Sequence, residues 1–332
     1  MEMLEKEVTG MATNYSICVG TVGQGVWHSP DGGDTWNRIR APFPLESQVR
    51  ALAVHPHNPQ IILAGANSGI YRSEDKGASW ERLDSPMNTL HVWTIAIDPI
   101  DPNIIFAGTS PPYLFRSDDG GQSWEKLPVQ IAQECAIGTP RVTAMLVDPL
   151  DHRTVWAGVE IDGVYRSLDS GESWSRVEGG LRDPDIHDMA ISAGQQQTVL
   201  VSTPREIFAS TDVGESWQSV VTSKQFPLAY CRGVAVKADD PQVIFVANGD
   251  AAMGSTGTVQ RSRDGGQTWE TRPLPVEPNS GIWWFATHPS DPDLVLANSL
   301  FGELYRSHDA GDSWEKLKRE FSEVRTLVWV PN

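Results

Sequence analysis

The chain has 332 residues, with 26 Lys plus Arg against 43 Asp plus Glu, and a formal net charge of −17. With 39% hydrophobic and 21% charged residues it has a globular composition and enough apolar material for a large core. The acidic balance argues against nucleic acid as a partner, since duplex binding needs Lys and Arg to replace phosphate counterions. No run approaches 18 apolar residues, so no membrane-spanning helix is expected. Cys18, Cys135 and Cys231 form neither a metal-type pair nor a disulfide framework, which favours a reducing compartment. The opening MEMLEKEVTG carries acids and no apolar core, so a secretory signal is not expected and a cytoplasmic location is.

In chain order, residues 1–12 fall outside any pattern and are expected to be a flexible extension, with the folded domain running over 13–332. Residues 16–20 (SICVG) match what is the second strand of every later repeat, so the first repeat lacks an inner strand. The second repeat shows the full unit: RALAVHP at 50–56, IILAG at 61–65, IYRS at 70–73 and WERL at 80–83. These short runs are rich in β-branched and aromatic residues and are divided by Gly, Pro, Asn and Asp, as strands are. The missing inner strand follows the last repeat, as VRTLVWV at 324–330. It is expected to enter the first blade and pair two otherwise open sheet edges.

One motif punctuates the chain. SPDGGDTW (29–36), SEDKGASW (73–80), SDDGGQSW (117–124), SLDSGESW (167–174), STDVGESW (210–217), SRDGGQTW (262–269) and SHDAGDSW (307–314) all fit S-x-D-x-G-x-[S/T]-W. The aspartates lie 44, 44, 50, 43, 52 and 45 residues apart, a period that predicts propeller blades. Seven copies predict an all-β, single seven-bladed propeller of four-stranded blades. The motif falls in the turn between third and fourth strands. There Asp can accept backbone N–H bonds, Gly can supply an unusual backbone angle and Trp can fill the apolar layer.

The motif resembles the Asp-box, or bacterial neuraminidase repeat, of sialidases, sortilin-type domains, xyloglucan-active glycosidases and a photosystem assembly factor. The resemblance covers about residues 14–332 and implies the propeller; it places the box at the blade periphery, away from chemistry. Sialidases have six blades and an Arg-Ile-Pro motif that this chain lacks, so no sialidase triad carries over. The xyloglucan enzymes pair two propellers around a cleft, which one propeller cannot form.

Function is therefore sought at the channel mouth. Aligning the inner strands on their closing Pro, or its equivalent, selects Arg50, Trp93, Thr143, His187, Arg232, Trp283 and Arg325. The preceding position is uniformly apolar: Val49, Val92, Val142, Ile186, Cys231, Ile282 and Val324. Such a polar ring against an apolar neighbour predicts a funnel lining. Arg50, Arg232, Arg325 and Arg141 would bind carboxylate or phosphate. Trp93, Trp283, Trp284 and Tyr230 offer flat faces for a sugar-like ligand. His187, Asp188, His91 and Glu134 are the candidate catalytic groups of a hydrolase or lyase.

Glu160, Asp162, Asp185, Glu206, Asp250 and Glu323 are further acids in predicted funnel loops, and a glycosidase would need two of them. The expected partner is a small anionic or carbohydrate-like molecule, with no cofactor and no metal. The alternative is a noncatalytic platform with a protein partner on the funnel face, or arginines that merely plug the channel against Asp185, Asp188 and Glu323. His55 and His57, tempting as a metal pair, sit where other blades have a strand-ending turn.

Overall fold

Seven inner strands form a ring around the channel in the computed structural model, which describes residues 14–135, 138–194 and 196–332. The expected extension at 1–12 lies outside the described residues. The described residues hold 28 strands, β1 to β28 in chain order, in seven four-stranded antiparallel sheets. The inner strands are β4 (Val49–Val54), β8 (His91–Ile97), β12 (Val142–Val147), β16 (Asp188–Ala193), β20 (Tyr230–Val236), β24 (Ile282–Ala286) and β28 (Val324–Pro331). Each of them packs against its two neighbours around the ring.

The first blade is completed as the sequence predicts. Strand β28 pairs antiparallel with β1 (Tyr15–Thr21), from Tyr15 opposite Pro331 to Thr21 opposite Val324. At the seam, Ser16 Oγ donates to Asn332 Oδ1 at 2.8 Å and Asn332 N donates to Asn14 O at 2.9 Å.

The core is divided rather than central. Seven apolar clusters lie one in each seam between neighbouring blades, so burial holds blade to blade. Each box tryptophan belongs to the seam with the preceding blade. Trp80 of the second blade, for example, packs with Cys18 and Val26 of the first. Sequence reasoning placed this indole in its own blade's layer; the structure makes it the wedge between two blades.

The box itself is a closed hydrogen-bond cycle. In the second copy, Ser73 Oγ donates to Asp75 Oδ1 at 2.8 Å and accepts Gly77 N at 2.8 Å. Ser79 N and Ser79 Oγ donate to the two carboxylate oxygens of Asp75 at 2.8 and 2.6 Å. Trp80 Nε1 then donates to Gly77 O at 3.0 Å. Gly77 has φ +92°, and a Cβ there would lie 2.1 Å from Cys18 Sγ, so this position admits glycine alone. The accepted bonds hold the box carboxylates below the usual range, to about 2 for Asp119, Asp169 and Asp212.

Candidate functional site at the channel mouth

The inner strands aim their ring residues through a repeated irregularity. Antiparallel pairing breaks between Val49 and Ala51, Val92 and Thr94, Val142 and Ala144, Cys231 and Val234, and Ile282 and Trp284. In the first blade Thr326 and Val324 are paired and Arg325 is passed over. Arg50, Trp93, Thr143, Arg232, Trp283 and Arg325 are thus bulged residues, and a bulge turns its side chain out of the strand's alternation. The apolar residue before each bulge is 1% exposed or less and anchors the strand. Val92 does so against a second strand: a Cβ on Gly65 would lie 2.7 Å from Val92 Cγ1. The fifth blade has no bulge, and His187 enters the ring just before β16 begins.

All seven ring residues line one cavity of about 60 Å³. Thr94, Thr326 and Trp284 line it as well. Sequence reasoning assigned no role to Thr94 or Thr326; both immediately follow a bulged ring residue, a signal visible only once the bulge is known. The space holds a few waters or one small anionic group.

The charged side chains are interleaved with indoles. Arg50 and Arg141 approach the Trp93 ring at 4.3 and 4.7 Å from the centroid. Arg232 and Arg325 approach Trp283 at 4.1 and 4.5 Å. Each tryptophan therefore sits between guanidiniums from the blades on either side, a favourable electrostatic contact that also occupies the faces a sugar would need.

Acids are fewer than bases here. Arg141 pairs with Glu160 and Arg325 with Glu323. Arg50 Nη2 donates to Gln48 Oε1 at 2.8 Å, while its Nε and Nη1 are buried without a hydrogen-bond partner among the described residues. Burial and then the Arg325 charge push Arg50 down to about 10, with Glu323 opposing and Arg141 and Arg232 adding to the fall. Arg325 is lowered in the same way, burial first. Crowded, partly desolvated cations of this kind are stabilised by an anion placed among them.

The remaining candidates are distributed differently. His187 is 3% exposed; its Nδ1 lies 2.7 Å from Cys231 O and its Nε2 3.3 Å from the Tyr230 hydroxyl. Burial, then Arg232, lowers its proton affinity, and Asp185, 3.6 Å from Nε2, works against that. The neutral imidazole with its proton on Nδ1 satisfies both contacts. Burial raises the Tyr230 hydroxyl, with Arg232 opposing.

Asp188 is not among the residues lining the cavity. Its carboxylate accepts Met189 N at 2.8 Å and Val234 N at 2.9 Å, clamping β16 to β20, and burial pushes it up to about 7. His91 is half-buried at the start of β8 and outside the cavity lining; burial and Arg50 lower its proton affinity. Glu134 is exposed on the loop before the fourth blade.

Two further acids are committed locally. Asp162 accepts Ala132 N at 2.9 Å and the Tyr165 hydroxyl at 2.7 Å, and Asp250 accepts Ser255 N at 2.8 Å within its own loop. His55 accepts the backbone N–H groups of His57 and Asn58 through Nδ1, as a turn residue does. No cluster of three metal-ligating side chains occurs among the described residues.

Comparison with known proteins agrees with this architecture. Residues 115–126 and 260–271 match the family described as BNR/Asp-box repeat. Over 113 residues, 34% of the chain, it is 26% identical to sortilin of Danio rerio, and that stretch is 13% of sortilin. The GH74 xyloglucanase from Xanthomonas campestris superposes with a TM-score of 0.64 at 20% identity, over 91% of this chain and 46% of that one. A structure of YCF48 bound to D1 peptide superposes with a TM-score of 0.58 at 15% identity, over 82% of this chain and 83% of YCF48. The chain thus spans less than half of the xyloglucanase and a small part of sortilin, but most of YCF48.

Proposed function

Taking the chain as a seven-bladed propeller of the BNR/Asp-box type, we propose that it is a receptor for a small anionic group, carboxylate or phosphate, held at the channel mouth. The observation that carries this reading is the convergence of Arg50, Arg232 and Arg325 on one cavity in which, among the described residues, only Arg325 has an acidic partner. Arg141, neutralised by Glu160, fixes Trp93 in place and supplies structure rather than free charge. The anion would accept from the unpartnered Nε and Nη1 of Arg50 and from Arg232, and the Trp93 and Trp283 rings keep those guanidiniums pre-positioned. The ligand would be either a free small molecule or the anionic end of a larger one. The whole-length likeness to YCF48, solved with a peptide, favours counting a peptide carboxylate among the ligands.

Melting curves with carboxylates, phosphates, carboxylate-ended peptides and neutral sugars test the reading. A ligand at 100 times its dissociation constant adds about 2.7 kcal/mol of stability. Anions should raise the melting temperature, neutral sugars should not, and Arg232→Ala should abolish the response while folding normally. A stabilising neutral sugar, or anions with no effect, would overturn it.

Hydrolysis of a glycoside is the second reading, favoured by the GH74 relatives and by Glu323 and Asp185 beside the ring. It requires release of reducing sugar from an oligosaccharide and its loss in Glu323→Gln or Asp185→Asn. Binding without turnover returns the protein to the receptor reading.

A further inference from the structure

A second regularity of the repeat, a side chain that donates across the seam to the next blade's box turn, fails at one seam, far from the channel mouth and independent of the proposed anion site. The residue before the box serine is His28, Arg72, Arg116, Arg166, Ala209, Arg261 and Arg306 in the seven blades. Each of the five arginines crosses to the next blade. There its Nη1 donates to the carbonyl one residue after that blade's box aspartate. Arg72 reaches Gly120 at 3.0 Å, Arg116 reaches Ser170 at 2.9 Å, Arg261 reaches Ala310 at 2.6 Å and Arg306 reaches Gly32 at 2.8 Å. Arg166 reaches Val213. Between the first and second blades the Lys76 carbonyl takes Cys18 Sγ at 3.4 Å instead.

Between the fifth and sixth blades the equivalent carbonyl belongs to Gly265. Alanine stands where the arginine would be, and among the described residues nothing donates to that oxygen. The notch between the second and third blades, lined by Arg72 with Asp119, Gly120 and Gln122, measures about 150 Å³. Its counterpart here, lined by the matching Asp264, Gly265 and Gln267, measures about 510 Å³.

We propose that the notch between the fifth and sixth blades binds an arginine side chain presented by a peptide or protein partner. The site keeps the carbonyl acceptor that the internal arginines use elsewhere, with an amide where most seams have a carboxylate. Gly265 O is open, and Gln267, whose Nε2 donates to Asp264 O at 2.9 Å, turns an amide oxygen free to accept. Gln267 occupies the position from which Glu172, Glu215 and Asp312 pair with the crossing arginine at other seams. A flat guanidinium with several donors suits two acceptors on one wall; an ammonium on a flexible stem suits them less. The acidic chain as a whole, at −17, favours a cationic partner over an anionic one at its rim.

The test uses an acetylated, amidated tripeptide with a central arginine, which brings no carboxylate to the channel mouth, against the same peptide with citrulline. The arginine peptide should raise the melting temperature of the full chain by about 1–3 °C at a few times its dissociation constant. The citrulline peptide should not. Arg232→Ala should respond as the wild type does. Ala209→Arg should melt higher by itself and no longer respond, because its own guanidinium fills the notch. A response to citrulline, a response retained in Ala209→Arg, or no response at all overturns the proposal. If Ala209→Arg does not fold, a photo-crosslinking form of the arginine peptide must label fragments containing Gln267 or Gln196, which also lines the notch, and labelling elsewhere overturns it equally.

Discussion

The rim and the mouth of this propeller are built from the same seven repeats under opposite rules. At the rim, the box keeps one serine, one aspartate, one glycine and one tryptophan in every copy, and the serine–aspartate bond closes each time, while the indole N–H of Trp217 and Trp314 is without the glycine carbonyl partner it has in the other five copies. At the mouth, one structurally equivalent bulged position carries arginine, tryptophan, threonine or arginine again, with histidine at the single blade that lacks the bulge. Positions that repeat serve what every blade needs, which is packing on its neighbour. Positions that differ within the same frame are free of that need, and they converge on one cavity.

The largest effects should fall on the rim and spare the mouth. Trp80→Ala removes a wedge that is 8% exposed between the first two blades and should destabilise the protein by about 3–5 kcal/mol, measured by denaturant titration. Anion binding, measured in the same variant below its transition, should be unchanged. Arg232→Ala is the mirror experiment: little loss of stability, since it relieves repulsion from Arg325, but loss of the roughly 2.7 kcal/mol that a saturating anion adds. If Arg232→Ala instead unfolds the protein, the guanidiniums are a structural plug and the division between rim and mouth disappears.

That division explains what could be read from the chain alone. Box spacing and the closing strand were legible because they are linear patterns, each copy checking the others. The ring from Arg50 to Arg325 was legible for the same reason: the closing turn supplies a register in every blade, and the apolar neighbour marks the buried side. The stacking of Arg141 on Trp93 was not, because Arg141 stands two residues before its own blade's ring position and reaches across to the preceding blade. The commitment of Asp188 was hidden too, since its second N–H donor, Val234, lies 46 residues away on the next inner strand. The arginines before the box serines were visible as repeated Tyr-Arg-Ser and related runs, but their carbonyl acceptors lie 47 to 54 residues further on and, for Arg306, 274 residues back.

Asp188 and His187 are neighbours on which the comparison can be sharpened, because one serves the frame and the other lines the mouth. Asp188→Asn leaves one of the two N–H groups facing an amide donor and should destabilise by about 1–3 kcal/mol with anion binding intact. A variant that folds well but no longer binds would move Asp188 to the functional set.

The smallest expected effect is the pH dependence contributed by His187. Unfolded, its imidazole titrates near about 6.5; folded, burial and Arg232 hold it lower. The unfolded chain therefore binds the proton more readily, and the stability tied to this group is complete above that value and lost as pH falls below it. Asp188 pulls the other way, since a folded value of about 7 makes its contribution decline as pH rises through neutrality. The difference between wild type and His187→Asn, followed by denaturant titration from pH 7.5 down to 5.5, isolates the histidine. A difference that shrinks toward acid fits a neutral imidazole donating to Cys231 O. A difference that grows toward acid would mean that the imidazole charges and pairs with Asp185, 3.6 Å away, placing a titrating proton inside the ring and strengthening the case for chemistry there.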